Sequence, residues 1–279
     1  MTKKKIFNTG DIALEKFNKL SIQVSLNGLS FCVLDTISNT ITKSDRRIFE
    51  RTQTPYELQD NLKNLLETHE IDRATFSEVI VVHSNGLFSF VPKPLFDEKE
   101  LANYLKLNAK ILANDHMAYD ILENYDMVNV YVPFMNINNY VFELFGEFEY
   151  KHNGTVLVEA LLNNSGNSKE PVCYTHVDGQ QMSITIISQK KLLLHNSFTF
   201  TSKEDFIYYL LFTMEQLGLE TETTKLKLFG SIEEDDEIFK LCYHYVKDIT
   251  IFIPSVSAYP YPMADTTQDS IDFTVISAL

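Results

Sequence analysis

Two groups of side chains in the sequence have types and spacings that could support metal or proton-transfer chemistry. His176 and Asp178 are two residues apart in a strand-like stretch, and His195 falls in the stretch expected to lie beside it. Imidazole and carboxylate groups are metal ligands and acid–base groups, although histidines satisfied within a strand are the more common arrangement. Residues 233–237 are all acidic and could hold a divalent cation, or could favour the start of a helix capped by Ser231.

The remainder of the chain has no motif of a nucleophilic enzyme or of a phosphate-binding loop. No Ser/His/Asp or Cys/His pattern is present, and none of the nine glycines falls in a Gly-x-Gly-x-x-Gly or Gly-Lys-Thr setting. Residue patterns alone therefore assign no enzymatic reaction.

Two dipeptides, Asn27-Gly28 and Asp178-Gly179, each separate two stretches of alternating apolar and polar residues. Both predict β-hairpins, because these pairs tolerate positive φ at both central positions of a type I′ turn. On this interpretation Asp178→Ala costs at most about 1 kcal/mol, since a hairpin tolerates the loss of one turn carboxylate.

The elements that position these residues follow one order in both halves: a three-stranded meander, a helix, a strand, a helix and a strand. This order predicts an α/β fold made of two ribonuclease-H-like βββαβαβ units, with a first lobe over residues 1–165 and a second over 166–279. The predicted strands cover residues 20–26, 29–35, 40–50, 79–82, 87–91, 128–132, 172–177, 180–188, 191–200, 225–229, 248–253 and, at the end, 271–279. The predicted helices cover residues 55–66, 97–107, 137–148, 202–217 and 236–245, with residues 153–164 as a short helix or an extended arm.

Composition and charge exclude several classes of protein. The formal net charge of −14 repels phosphate backbones, which argues against binding to nucleic acid or to anionic membranes. No stretch reaches the roughly 18 apolar residues of a membrane helix, and the start of the chain lacks the apolar region of a secretory signal. Three widely separated cysteines suit a reducing compartment. We therefore expect a cytoplasmic protein.

Several stretches resemble a family of Bacteroidetes proteins of unknown function that have the actin-like ATPase fold and are related to pilus-assembly ATPase-like proteins. The stretches are residues 90–105, residues 176–180, and residues 205–218 leading to 228–231. The resemblance implies the two-lobed fold of actin, hexokinase and the heat-shock chaperone ATPase.

The resemblance also implies a nucleotide site. Active members of that superfamily hold phosphates between two hairpin turns, in which glycine admits backbone N–H groups and aspartate organises Mg²⁺. Ser25 stands at the place of the first aspartate, so one carboxylate is missing. The positions that the resemblance places at a nucleotide are Asn27, Gly28, Asp178, Gly179, Gln180, Gly230 and Ser231.

Two hypotheses follow. The first is a degenerate, non-catalytic actin-like protein that binds another protein or acts as a scaffold and needs no cofactor. The second is an ATP-binding, weakly hydrolysing protein in which Asp178 organises Mg²⁺ and Gly230 admits the adenine. The identity of the protein partner lies beyond the sequence.

Overall fold

The structure, a computed structural model, describes residues 17–72, 74–108, 110–112, 114–166, 169–253 and 272–279. The strands are β1 (Asn18–Ser25), β2 (Gly28–Asp35), β3 (Thr40–Ile48), β4 (Glu78–His83), β5 (Phe88–Pro92), β6 (Ala118–Leu122), β7 (Met127–Tyr131), β8 (Glu149–His152), β9 (Val172–Asp178), β10 (Gln181–Ser188), β11 (Lys191–Thr199), β12 (Lys225–Gly230) and β13 (Asp248–Ile251). The α-helices are α1 (Pro55–Thr68), α2 (Leu101–Leu105), α3 (Met135–Phe145), α4 (Asn153–Asn164), α5 (Lys203–Gln216), α6 (Glu237–Tyr245) and α7 (Phe273–Ser277).

Two five-stranded sheets have the same topology. The first has the order β3-β2-β1-β4-β8 and the second the order β11-β10-β9-β12-β13. In each sheet three strands form an antiparallel meander, β1 to β3 in the first sheet and β9 to β11 in the second. The other two strands run parallel to β1 in the first sheet and to β9 in the second. The mixed α/β class predicted from the sequence is confirmed. The division into lobes at residues 165 and 166 stays a prediction.

Two of the helices that cover the sheets, α1 and α5, begin where their capping residues predict. Thr54 caps α1 in a reciprocal capping box with Glu57, and Ser202 caps α5 in the same way with Asp205. The apolar face of α1 is fully buried against the apolar side chains of β1. Each such leucine contributes about 1.5–3 kcal/mol of burial free energy, so this face fixes the helix on the sheet.

One strand of the first half was predicted in the wrong sheet. The strand expected over residues 128–132 is β7, and it lies in a separate three-stranded sheet of order β5-β7-β6. The fifth strand of the first sheet is instead β8, whose sequence Glu-Tyr-Lys-His has no apolar run to mark it. The helix expected over residues 97–107 is also shorter, because only α2 and a 3₁₀ turn at Glu98–Glu100 form there.

The C-terminal strand predicted over residues 271–279 is wrong for the part that the structure describes. Ile271 lies outside the described residues, and the residues after Asp272 form α7. Asp272 caps this helix by accepting a hydrogen bond from the backbone N–H of Thr274 at 3.0 Å. Val275, Ile276 and Leu279 all pack on one apolar cluster of the first sheet, as helical spacing allows. The end of the chain is thus packed on the body, but as a helix.

Candidate functional site

A cavity of about 300 Å³ lies between the β1–β2 turn and the β9–β10 turn. The end of β3 and the C-terminal Asp272 complete its wall. The structure thus brings five of the predicted site residues to one place: Asn27, Gly28, Asp178, Gly179 and Gln180. Gly230 and Ser231 do not line this cavity. Ser231 bonds to Arg46, which does, and Gly230 lies against Val177 and His176.

An ion pair crosses this cavity from one sheet to the other. Arg46, on β3 of the first sheet, bonds through Nη2 to the Oδ1 atom of Asp178 at the end of β9. Its Nη1 atom donates to the hydroxyl of Ser231 at 3.1 Å. The side chains of Arg46 and Asp178 are only 17% and 30% exposed. The guanidinium therefore lies in the cavity wall, bound to Asp178 at the β9–β10 turn that the resemblance assigns to phosphates.

Carboxylates and guanidinium groups share the cavity wall around Asp178, the guanidinium groups being those of Arg46, Arg47 and Arg51. Burial raises the pKa of Asp178, and the nearby charge of Asp272 raises it further, whereas Arg46 and His176 act in the opposite direction. The cavity wall also contains Glu50. A polyphosphate in this cavity would meet charges of both signs, and one of the guanidinium groups, that of Arg46, is already bound to Asp178.

The polar groups of the β1–β2 turn are used within the turn itself. The hydroxyl of Ser25 donates to the carbonyl of Gly28 at 3.0 Å and accepts from the backbone N–H of Asn27 at 3.2 Å. The side-chain oxygen of Asn27 accepts from the hydroxyl of Thr52 at 3.0 Å. Ser25 and Asn27 therefore act as turn-stabilising groups in this structure.

Both turns differ from the predicted type I′ geometry. Ser25 pairs with Gly28, so the turn residues are Leu26 and Asn27, and neither has positive φ. Gly28 is needed for another reason, because a Cβ there would lie 2.8 Å from the carbonyl oxygen of Arg47. In the second turn Gly179 alone takes a positive φ of 57°, which fits the first position of a type II′ turn.

Gly230 is required by packing between strands. Its φ is +95°, and a Cβ would lie 2.2 Å from the carbonyl oxygen of Val177 and 2.8 Å from the ring of His176. The next residue, Ser231, donates its backbone N–H to that same carbonyl at 2.8 Å. The close approach of β12 to β9 thus explains the glycine without an adenine.

The acidic run at residues 233–237 lies outside the cavity and is used locally. Asp236, rather than the expected Ser231, is the N-cap residue of α6. Its carboxylate accepts from the backbone N–H of Glu233 at 2.8 Å, and Glu237 pairs with Lys203 at 2.5 Å. In the part of the chain that the structure describes, no three His, Cys, Asp or Glu side chains form a group that could hold a metal ion.

Two of the histidines, His152 and His195, are buried and neutral. His195 bonds to the hydroxyl of Thr185 at 2.8 Å, and burial lowers its pKa to about 3. His152 lies across Gly154 from His195, and burial lowers its pKa to about 3 as well. Groups with such pKa values do not exchange protons at neutral pH, so an acid–base role is not supported.

Sequence reasoning missed three residues of this region: Arg46, Gln23 and Asp272, all of which line the cavity. Gln23 lies on β1 and is 5% exposed. Its only sequence signal is a long polar side chain on a strand whose neighbouring positions, Ile22 and Val24, are apolar.

Comparisons with known proteins agree with this architecture. The sequence profile of a family described as "Protein of unknown function (DUF3822)" matches residues 8–249. A protein of Bacteroides thetaiotaomicron VPI-5482, with actin-like ATPase fold and unknown function, superposes with a TM-score of 0.77 at 23% identity, over 88% of this chain and 94% of that one. A PilM–PilN type IV pilus biogenesis complex superposes with a TM-score of 0.59 at 11% identity, over 88% and 90% of the two chains.

No curated protein matches the sequence. The two superpositions show the actin-like ATPase fold and confirm the resemblance drawn from the sequence. Within the described residues, no helix combines the length and the apolar character needed to span a bilayer.

Proposed function

This chain belongs to the DUF3822 family of proteins of unknown function, and from that premise we propose that it is a non-catalytic actin-like protein that works by binding another protein. The observation that carries the proposal is the ion pair between Arg46 and Asp178. It links the two sheets through the cavity in which a nucleotide of the active superfamily members would bind.

The ion pair gives Asp178 a positive partner and links the two sheets, two roles that a bound metal ion and nucleotide would otherwise have. A guanidinium between two strand ends satisfies the carboxylate of Asp178 and joins β3 to β9. The pair is partly buried, so removing one partner leaves a poorly solvated charge and costs more than the same change at an exposed pair. The β1–β2 turn on the other side of the cavity has no carboxylate, because Ser25 stands where active superfamily members have an aspartate. A cavity arranged in this way holds the two sheets together without a ligand.

A protein partner suits this fold. PilM, which superposes on this chain over most of its length, is described in a complex with PilN. That likeness concerns the fold alone, and the partner of this chain is to be found by experiment. The net charge of −14 favours a partner with a basic surface, because complementary charge accelerates association.

The second candidate function is Mg-ATP binding with weak hydrolysis. It rests on the presence of Asp178 and Gly179 at the cavity wall, together with Asp272, which could complete a pair of carboxylates for a cation. In that case Mg²⁺ must displace the guanidinium of Arg46 from Asp178. Phosphate release from Mg-ATP above the rate without protein, and its loss in Asp178→Asn, would favour this candidate.

A double-mutant cycle tests the ion pair. The single variants Arg46→Ala and Asp178→Ala and the double variant are unfolded in urea, and the coupling energy is taken from the four stabilities. We expect a coupling of about 1–3 kcal/mol, because the bond joins two charged and partly buried groups. The matched control is the pair of Lys247 and Glu222, whose side chains are 71% and 69% exposed.

For that exposed pair the coupling is expected to be below about 1 kcal/mol. Equal and small couplings at both pairs would show that Arg46 and Asp178 do not join the sheets, and the proposal would lose its main support.

A further inference from the structure

The C-terminal segment, residues 272–279, fills a groove formed by the first sheet and α4. Val275 and Thr274 are 0% and 1% exposed, and Asp272 is 5% exposed. The helix within this segment has five residues, and a helix of that length has no stability of its own in water. The groove therefore determines the conformation of the segment.

A buried glutamine in the groove matches the polar atoms of the segment. The Nε2 atom of Gln23 donates to the Oδ2 atom of Asp272 at 2.5 Å. The Oε1 atom of the same amide accepts from the hydroxyl of Thr274. Both ends of a buried side chain on β1 are thus satisfied by residues about 250 positions away in the sequence. Such a match gives specificity, because an unmatched buried amide is costly.

The apolar part of the groove fits the rest of the segment. Val275, Ile276 and Leu279 pack on a cluster formed by Cys32, Leu34 and Ile41. A second cluster, from β4 and α4, receives Ala278. The ring of Phe273 meets that of Phe229, on β12, edge to face at 5.6 Å. The segment thus contacts both the first sheet and the end of a central strand of the second.

The segment also borders the cavity with the ion pair. Asp272 lines that cavity, and its charge acts on Asp178. Eighteen residues, 254–271, separate the segment from Ile253, the last described residue before it, which follows β13. The segment is thus a short peptide that follows 18 residues of connecting sequence. The groove binds it through the polar side chain of Gln23 and through an apolar cluster.

We propose that this groove is a peptide-docking site, that residues 272–279 occupy it as an internal ligand, and that a partner protein displaces them with a segment of the same chemistry. The partner segment carries an acidic side chain, a hydroxyl side chain two residues later, and apolar side chains at the following helical positions. The proposal rests on the proposed function, because it names the surface at which the protein partner binds.

The test uses the full chain and a synthetic peptide. A fluorescent peptide with the sequence of residues 270–279 is titrated with wild-type protein and with the full-length variant Val275→Asp, and binding is followed by anisotropy. The aspartate removes the apolar contact of the internal segment and opens the groove. The peptide is expected to bind the variant at least about tenfold more tightly, because in the wild type a tethered competitor is present at about millimolar effective concentration.

Two matched controls define the recognition. Adding Gln23→Leu to the Val275→Asp variant removes both polar contacts and is expected to weaken peptide binding at least about tenfold. Adding Lys190→Ala to the same variant changes an exposed turn of the second sheet and is expected to leave binding unchanged. A folded Val275→Asp variant that does not bind the peptide, or a wild type that binds it equally well, would overturn the proposal.

Hydrogen exchange of the wild-type chain gives a second measurement that needs no variant. If the segment is displaceable, its backbone N–H groups exchange at least about tenfold faster than those of β1, because the segment opens without global unfolding. Equal protection of residues 272–279 and β1 would contradict it. Neither measurement contains nucleotide, so a failure of the docking site is distinguishable from a finding of Mg-ATP binding at the cavity.

Discussion

The replacement Gly230→Ala separates a packing role of this glycine from a nucleotide-binding role. An alanine at a φ of +95° meets the backbone penalty of about 1–2 kcal/mol for an L-residue. Its Cβ would lie 2.2 Å from the carbonyl oxygen of Val177, so β12 must move away from β9. That movement strains the hydrogen bond of 2.8 Å from Ser231 to the same carbonyl. Overpacking of this kind adds about 1–3 kcal/mol, so we expect a total loss of about 2–5 kcal/mol.

The matched control for this prediction is Gly218→Ala. Gly218 follows α5 with a φ of +63°, and a Cβ there meets nothing within 4 Å. Only the backbone penalty remains, and the expected loss is about 1 kcal/mol. Urea unfolding of both variants and the wild type measures the difference. A Gly230→Ala variant as stable as Gly218→Ala would refute the argument that strand packing requires this glycine.

Three further predictions concern stability and reactivity. Lys190→Gly should stabilise the chain by about 0.5–1 kcal/mol in urea unfolding, because Lys190 holds a φ of 58° in the β10–β11 turn; a destabilised variant would contradict this. Burial raises the pKa of Asp120 from 3.8 to about 6, so the stability of the wild type should fall by about 2 kcal/mol relative to Asp120→Asn as pH rises from 4 to 6. Parallel stability profiles of the two proteins would refute this. Thiol reagents should modify none of Cys32, Cys173 and Cys242 in the native protein and all three after denaturation, because the thiols are buried and burial raises the pKa of each. Rapid labelling of any of them in the native protein would contradict this burial.

The repeated fold could be predicted because its signals are local. Alternating residues mark the strands of both meanders, and Thr54 and Ser202 mark helix starts within one turn of the chain. The strand β8 could not be found in this way. Its four residues are polar or aromatic, and it is a strand because it pairs in parallel with the buried β4.

The hairpin turns were correctly located, but their partners were not foreseeable. Arg46 and Asp178 are 132 residues apart in the sequence, and neither has a local pattern that indicates the other. The low cost expected for Asp178→Ala therefore neglects the ion pair. With that pair, the variant leaves a partly buried guanidinium without its carboxylate, so we expect a loss above 1 kcal/mol.

The burial of the polar face of β1 under the C-terminal segment could not be predicted from the sequence. Ser21, Gln23 and Ser25 alternate with apolar residues on β1 and predict a face towards solvent. They are instead 0%, 5% and 8% exposed, because the face is covered within the fold. A signal was present on the neighbouring strand, where Cys32 and Leu34 lie on the same face and are apolar.

Calorimetric titration of Mg-ATP into the full chain tests most directly whether the ion pair stands in place of a nucleotide. With the guanidinium of Arg46 bound to Asp178, we predict no saturable heat up to about 1 mM nucleotide, which corresponds to a binding free energy weaker than about −4 kcal/mol. A one-site isotherm with a dissociation constant near 10 μM, abolished by Asp178→Asn, would contradict the account and identify the cavity as a nucleotide site.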